Sequence, residues 1–258
     1  MTYQNILSEL KANILYITIN REKKLNALNK ETLAELADVV AYAAKNEEVR
    51  GVLLTGAGEK AFVAGADISE FSTYSTAQGE ELARIGQAEV FNAIENSTKP
   101  FLAAINGFAL GGGLELAMAC HIRVAAETAR MGLPEVTLGL IPGYGGTQRL
   151  THLVGKGRAL ELITTAEMIS AEKAGQIGLV NHVVPLAELI NKAEEILNKI
   201  KERAPLAIAA AIKSVNAAKN DDGFETEIKE FGKCFGTEDF KEGVSAFLEK
   251  RKSDFKGR

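Results

Sequence analysis

Two glutamates stand where a carboxylate can do more than solvate a surface. Glu115 lies in LGGGLELA, three residues after Gly112, among Leu114, Leu116, Ala117 and Met118. On a helix that spacing puts it on the same face as the Gly112 N–H. An acid in a first helical turn also complements the helix dipole, so position alone assigns it no chemistry. Its apolar company does, because carboxylates are seldom buried without a task. Glu135 lies in MGLPEVTLGLIPGYGGTQRL, after Pro134 and before Val136, Leu138, Leu140 and Ile141. Taken singly it reads equally well as a helix-start acid at a surface turn. Two carboxylates sharing one partly desolvated pocket cannot both ionise freely, so one keeps its proton more readily. Such a pair supplies an acid and a base without a metal or cofactor.

Three glycine clusters accompany them: Gly56-Ala57-Gly58, Gly111-Gly112-Gly113 and Gly143-Tyr144-Gly145-Gly146. The first gives G-x-G-x-x-A at 56–61, but AFVAGAD follows where a dinucleotide fingerprint needs a helix, so a tight strand-to-loop turn is expected there. The second precedes a run of helix formers, Leu114 to Cys120. The first N–H groups of a helix lack internal partners and carry the positive end of its dipole, so they can receive an anion or a developing oxyanion. Close strand–helix packing explains the same triplet as well. Phe62-Val63-Ala64-Gly65-Ala66-Asp67-Ile68 can expose a second backbone donor, since the small residues at 64–66 leave an N–H accessible. Two convergent donors suit a carbonyl that becomes an enolate. Asp67 itself reads as a cap on the helix that follows.

Other chemistries are poorly supported. His121, His152 and His182 are scattered, no Ser or Cys sits in a nucleophile elbow, and the histidines read as structural or exposed. Cys120 and Cys234 have no metal-ligand spacing and read as buried free thiols of a reducing cytosol. A net charge of −4, from 34 acidic and 30 basic residues, offers no footprint for nucleic acid. No signal peptide and no run long enough to span a membrane is read, which places the protein in the cytoplasm.

The elements that must position these groups alternate. Segment 14–19 (ILYITI), Val52 to Thr55, Phe101 to Ile105 and Ile122 to Ala125 read as strands. Asn29 opens a helix whose apolar face is Leu33, Leu36, Ala37, Val40, Ala41 and Ala44. Helical stretches follow at 76–96 and 112–120. The pattern predicts an α/β fold with buried parallel strands. After an amphipathic helix at 188–202, Pro205 breaks the chain, and helices fill 206–219, 224–233 and 238–252. A boundary near 200 is expected, with the helical remainder covering either the body or another subunit.

AFVAGADISEF at 61–71, AAINGFALGGGLELAMAC at 103–120 and GLPEVTLGLIPGYGGTQRL at 132–150 resemble the signature blocks of the crotonase, or enoyl-CoA hydratase/isomerase, family. NREKKLNALN at 20–29 and AFLEKRKSDFK at 246–256 are similar to its ends, so the resemblance covers essentially the whole chain. It implies a spiral of repeated ββα turns over residues 1–200, and a helical trimerisation section over 201–258. It further implies a homo-hexamer built as a dimer of trimers. The substrate implied is an acyl-CoA thioester, with coenzyme A part of the substrate and no separate cofactor.

Carried onto this chain, the resemblance makes Ala66 and Gly112 the oxyanion donors and Glu115 and Glu135 the catalytic pair of a hydratase. Ala64, Asp67 and Ile68 would line the substrate, and Lys24 and Lys60 would approach the coenzyme A phosphates. Lys250 would reach a neighbouring subunit's ligand. Double-bond isomerases of this family typically lack the first glutamate. An isomerase, a hydratase of branched or dicarboxylic acyl-CoA and a non-catalytic RNA-binding member are the alternatives. Ser69 stands where many hydratases carry lysine, and His121 where aspartate usually follows the cysteine.

Overall fold

The computed structural model describes residues 3–258. Its body is a spiral whose second, third and fourth coils each give one strand to each of two sheets before helical turns close them. The first coil opens with β1 (Ile6–Lys11) and β2 (Ile14–Ile19), an antiparallel hairpin. Ala12 and Asn13 at its tip have φ of 47° and 67°, the double left-handed turn that matches strand twist. Leu28 then bridges in parallel to Ala66, and α1 (Lys30–Lys45) follows. Asn29 caps that helix by accepting from the Thr32 N–H at 3.0 Å.

The second coil holds β3 (Gly51–Gly56), β4 (Ala61–Ala64), α2 (Thr76–Gly86) and α3 (Asn92–Glu95). A wide π-turn, Gln87–Phe91, joins those two helices and buries Val90 and Phe91. The third holds β5 (Phe101–Ile105), β6 (Phe108–Leu110) and α4 (Gly112–Ala119). The fourth brings β7 (Ile122–Ala126), β8 (Arg130–Gly132), a 3-10 turn at Glu135–Leu138, α5 (Gly146–Val154) and α6 (Lys156–Thr165). The chain then adds β9 (Ile169–Ser170), α7 (Ala171–Gln176), β10 (His182–Val184) and α8 (Leu189–Lys201).

One sheet runs β1-β2-β3-β5-β7-β10, parallel from β2 onward, and the other runs β4-β6-β8-β9. The alternation in the first sheet explains its apolar runs. Leu15, Ile17, Val52, Leu54, Phe101 and Ala103 point into the main core, while Ile14, Leu53, Leu102, Ala104 and Val124 point the other way. That second face is covered by Leu189, Ala193 and Leu197, spaced every four residues along α8. With both faces buried, the strands read as continuous hydrophobic stretches.

The α/β architecture and its parallel core strands follow the sequence, with differences in detail. The buried face of α1 is Thr32, Leu36, Val39, Val40 and Ala43, whereas Ala41 and Ala44 are exposed. The helix is rotated relative to the expected stripe because its β-branched residues fill the core beside Leu36. Strands β1 and β10, helices α5 to α7 and the whole second sheet also lie outside the sequence reading. The turn at Gly56-Ala57-Gly58 is a strand-to-loop turn as expected, pinned by two buried asparagines. Asn26 donates to the Ala57 and Ala61 carbonyls at 2.9 and 2.8 Å, and Asn106 to the Gly56 and Gly58 carbonyls at 3.0 and 2.7 Å.

The C-terminal section comprises α9 (Pro205–Asn216), α10 (Gly223–Cys234) and α11 (Glu238–Leu248). It leaves large apolar side chains uncovered, among them Phe224 at 86% and Phe247 at 83% exposure. Among the described residues, no helix is long and apolar enough to cross a membrane.

Candidate active site

Every residue of α4 is buried, Glu115 included at 1% exposure. The helix rests directly on β4: a Cβ at Gly113 would lie 2.0 Å from the Val63 carbonyl oxygen, so only glycine permits the approach. A carboxylate in such a place needs compensation. Glu115 Oε1 accepts from the Tyr144 N–H at 2.8 Å and the Gly146 N–H at 2.7 Å. Gly145, at φ 94°, turns the chain between those donors. Glu115 Oε2 has no hydrogen bond among the described residues.

Glu135 begins the 3-10 turn after β8 and lies against the N-terminus of α4. Its Oε1 is 3.0 Å from where a Cβ at Gly111 would stand, and its Oε2 is buried without a partner. The two carboxyl groups lie close enough for the Glu135 charge to act on Glu115. Burial, with the Glu135 charge adding to it, pushes Glu115 up to about 7 against the pull of the two N–H groups and Arg149. Burial likewise raises the Glu135 carboxyl. Both carboxyl groups are thus disposed to keep a proton longer than exposed glutamates would.

Two main-chain amides for which no acceptor is found among the described residues stand near them. β4 and β6 run in parallel with Ala64 opposite Leu110, and two residues beyond that pair lie Ala66 and Gly112. Gly65 (φ 98°) and Gly111 (φ 51°) redirect the two chains there. Around Ala66, Leu28 N–H donates to the Gly65 carbonyl at 2.9 Å and Asp67 N–H to the Leu28 carbonyl at 2.7 Å. The Ala66 N–H itself has no backbone acceptor among the described residues. Gly112 opens α4, so its N–H has no partner within the helix.

The remaining sequence candidates are more dispersed. Asp67 does not cap the 3-10 turn at Ile68–Glu70; its carboxylate pairs with Arg21 at 3.2 Å and accepts from the Ser69 hydroxyl at 2.7 Å. The Ser69 hydrogen bond and Arg21 hold that carboxyl below the ordinary range. An ion pair across 46 residues of sequence therefore takes the side chain expected to cap locally. Ala64 ends β4 half-buried and Ile68 is exposed. Lys24 and Lys60 are exposed on the turns before α1 and β4, and Lys250 is exposed past α11 at φ 56°.

His152 and His182 are exposed. His121 is structural: its Nδ1 accepts from the Phe101 N–H at 2.9 Å, so its proton sits on Nε2, 3.1 Å from the Glu95 carbonyl. Cys120 is buried, whereas Cys234 is only half-buried; both are free. No group of three or more His, Cys, Asp or Glu able to hold a metal occurs among the described residues. The sequence reading missed the Tyr144 and Gly146 amides that seat Glu115. The third glycine cluster was their signal, since a Cβ at Gly146 would meet Glu115 Oε1 at 2.9 Å.

A sequence model of the enoyl-CoA hydratase/isomerase family matches residues 9–258. The chain belongs to that family. A short-chain-enoyl-CoA hydratase of Clostridium acetobutylicum is 49% identical over 100% of both chains. A crotonyl-CoA hydratase of Syntrophomonas wolfei is 46% identical over 99% of each. The crystal structure of an enoyl-CoA hydratase from Bacillus anthracis superposes with a TM-score of 0.93 at 41% identity, covering 99% of this chain and 100% of the other. Membership of the enoyl-CoA hydratase/isomerase family thus extends over both the spiral and the helical section, and the fold is the crotonase type.

Proposed function

We propose that this protein is an enoyl-CoA hydratase, a hydro-lyase that adds water syn across the double bond of a short trans-2-enoyl-CoA. The observation that carries the reading is the desolvated pair Glu115 and Glu135 at the N-terminus of α4, beside the unpaired Gly112 amide. The names of the two similar hydratases support a short acyl chain.

In this reading the thioester oxygen lies between the Ala66 and Gly112 N–H groups. Ionised Glu115, seated on Tyr144 and Gly146, takes a proton from water as the water oxygen bonds to C3. The π electrons move toward the thioester oxygen, where negative charge grows and the two amides and the α4 dipole stabilise it. Protonated Glu135 then delivers its proton to C2, and the enolate collapses to the 3-hydroxyacyl-CoA. Glu115 ends protonated and Glu135 ionised, so proton exchange with solvent resets the pair. Coenzyme A enters as part of the substrate, and the reading assigns no resident cofactor.

Ala64, Asp67 and Ile68 border the substrate in this reading; Asp67 does so by holding its loop through Arg21 rather than by contact of its carboxylate. Lys24 and Lys60 would meet the coenzyme A phosphates. Residues 1–200 form the catalytic core, and 201–258 carry the exposed phenylalanines into trimer contacts, with Lys250 reaching a neighbouring ligand. Two trimers make a cytoplasmic hexamer, and light scattering is expected to give the mass of six chains; a monomer would refute the assembly.

Incubation with crotonyl-CoA is expected to bleach the absorbance of the conjugated enoyl thioester. No turnover of any enoyl-CoA would exclude hydration.

A further inference from the structure

Arg149 performs no step of the proposed reaction, yet it is only 6% exposed. A buried guanidinium is costly unless its donors are used, and here they are. Nη1 donates to the Tyr144 carbonyl at 2.7 Å. Nε and Nη2 donate to Glu95 Oε2 at 3.1 and 2.8 Å, and Nη2 also to Asn92 Oδ1 at 2.7 Å. The fork joins the end of α3 to the loop whose amides hold Glu115.

Glu95 continues the chain of contacts. Its Oε1 accepts from Lys219 at 2.8 Å, and its main-chain carbonyl accepts from Asn216 at 2.6 Å and faces His121 Nε2 at 3.1 Å. Asn216 ends α9, and Lys219 lies in the turn after it. Burial pushes the Glu95 carboxyl up, but Lys219 and Arg149 together outweigh it and keep the group ionised. The same loop is held from a second side, where Gln87 in the π-turn donates to the Gly143 carbonyl at 2.6 Å.

We propose that Arg149 is a positioning residue, which by gripping the Tyr144 carbonyl aims the Tyr144 and Gly146 N–H groups at Glu115, and which through Glu95 makes that aim depend on the docked end of α9. The planar peptide between Tyr144 and Gly145 lies between the two peptides that carry the donors, so holding its carbonyl anchors the loop midway between them. Gly145 leaves room for the grip, because a Cβ there would lie 2.3 Å from Arg149 Nη1. A helix of the C-terminal section thereby sets the geometry of a base in the spiral.

The proposal rests on the hydratase reading, and wild-type turnover of crotonyl-CoA is its reference. Arg149→Met is expected to lower kcat on the order of 100-fold with KM little changed, the loss typical of a misaimed group. The charges facing Glu115 are Glu135, from the turn after β8, and Arg149, from α5; the neighbouring Tyr144 phenol is held neutral, raised to about 12. Losing the Arg149 charge should therefore move the acidic limb of the kcat profile to higher pH. Arg149→Lys keeps the charge without the fork, so kcat should fall while the limb stays in place.

Lys219→Met should reduce kcat in the same direction and add nothing when combined with Arg149→Met, as coupled contacts require. Variants whose kcat per folded molecule and pH limb match wild type would overturn the positioning role, and an additive double mutant would overturn the link to α9. A wild-type protein inert toward crotonyl-CoA and every other enoyl-CoA would instead overturn the hydratase reading. The Glu115 carboxyl stretch, followed by difference infrared titration in wild type and Arg149→Lys, would then decide the positioning claim alone: an altered carboxyl environment upholds it, and an unaltered one refutes it.

Discussion

Replacing Glu115 by glutamine is expected to cost roughly 10²–10⁴ in hydration rate and, at pH 8, to make the protein more stable. The loss of rate follows, in the proposed mechanism, from removing the base that takes the proton of water. The gain in stability follows from linkage. Burial raises the folded-state carboxyl from its ordinary 4.5 to about 7. A group raised on folding contributes its stability in full below about 4.5, and loses it as pH rises through about 7. Above that pH the ionised carboxylate is carried at a cost of roughly 3 kcal/mol, an order-of-magnitude figure.

Glutamine is neutral at every pH, and its amide oxygen can still accept from the Tyr144 and Gly146 N–H groups. The Tm of Glu115→Gln should exceed that of wild type at pH 8, and the gap should close at pH 4. A variant that hydrates normally would refute the catalytic role. One less stable than wild type at pH 8 would refute the claim that function carries a burial penalty here.

The second large effect belongs to Glu135. In the proposed mechanism the pair is active while it holds one proton, so kcat should rise as the first proton leaves and fall as the second leaves, burial having raised both carboxyl groups. The two apparent values belong to the coupled pair rather than to either residue. Glu135→Gln is expected to lose roughly 10²–10⁴ in rate. Its residual activity should have an acidic limb moved to lower pH, because the Glu135 charge no longer opposes ionisation of Glu115.

Hydrogen exchange separates the two tasks. Exchange at C2 of a saturated acyl-CoA in deuterated water calls on Glu135 and the amides but not on the water-handling base. It should survive in Glu115→Gln and vanish in Glu135→Gln; the reverse pattern would exchange the roles.

Much of the first sheet was legible because ILYITI, VLLT and FLAAI are buried on both faces and admit little but parallel strands. The second sheet was hidden by its own brevity. Phe108–Leu110, Arg130–Gly132 and Ile169–Ser170 are too short to show a period of two. Glu115 was legible because an acid following a glycine triplet in an apolar helix has few explanations. Its seat was not, since the donors are main-chain N–H groups 29 and 31 residues downstream, and a backbone amide leaves no side-chain signature. Asp67 shows the same limit from the other side. The local rule made it a cap, and Arg21, far off in sequence, claimed it instead.

The stacking of coils has a consequence for synthesis. Ala66 comes from the second coil, Gly112 and Glu115 from the third, and Glu135 with the Tyr144–Gly146 loop from the fourth. A chain growing from its N-terminus therefore acquires the proposed oxyanion donor first, the proposed base next and the proposed acid last. Fragments released early lack the acid and the amides that seat the base, so they are chemically mute. Arg149, which steadies that seat, is younger still on the growing chain, and the α9 contacts are among the last to arrive. Competence is deferred until nearly the whole polypeptide has been laid down.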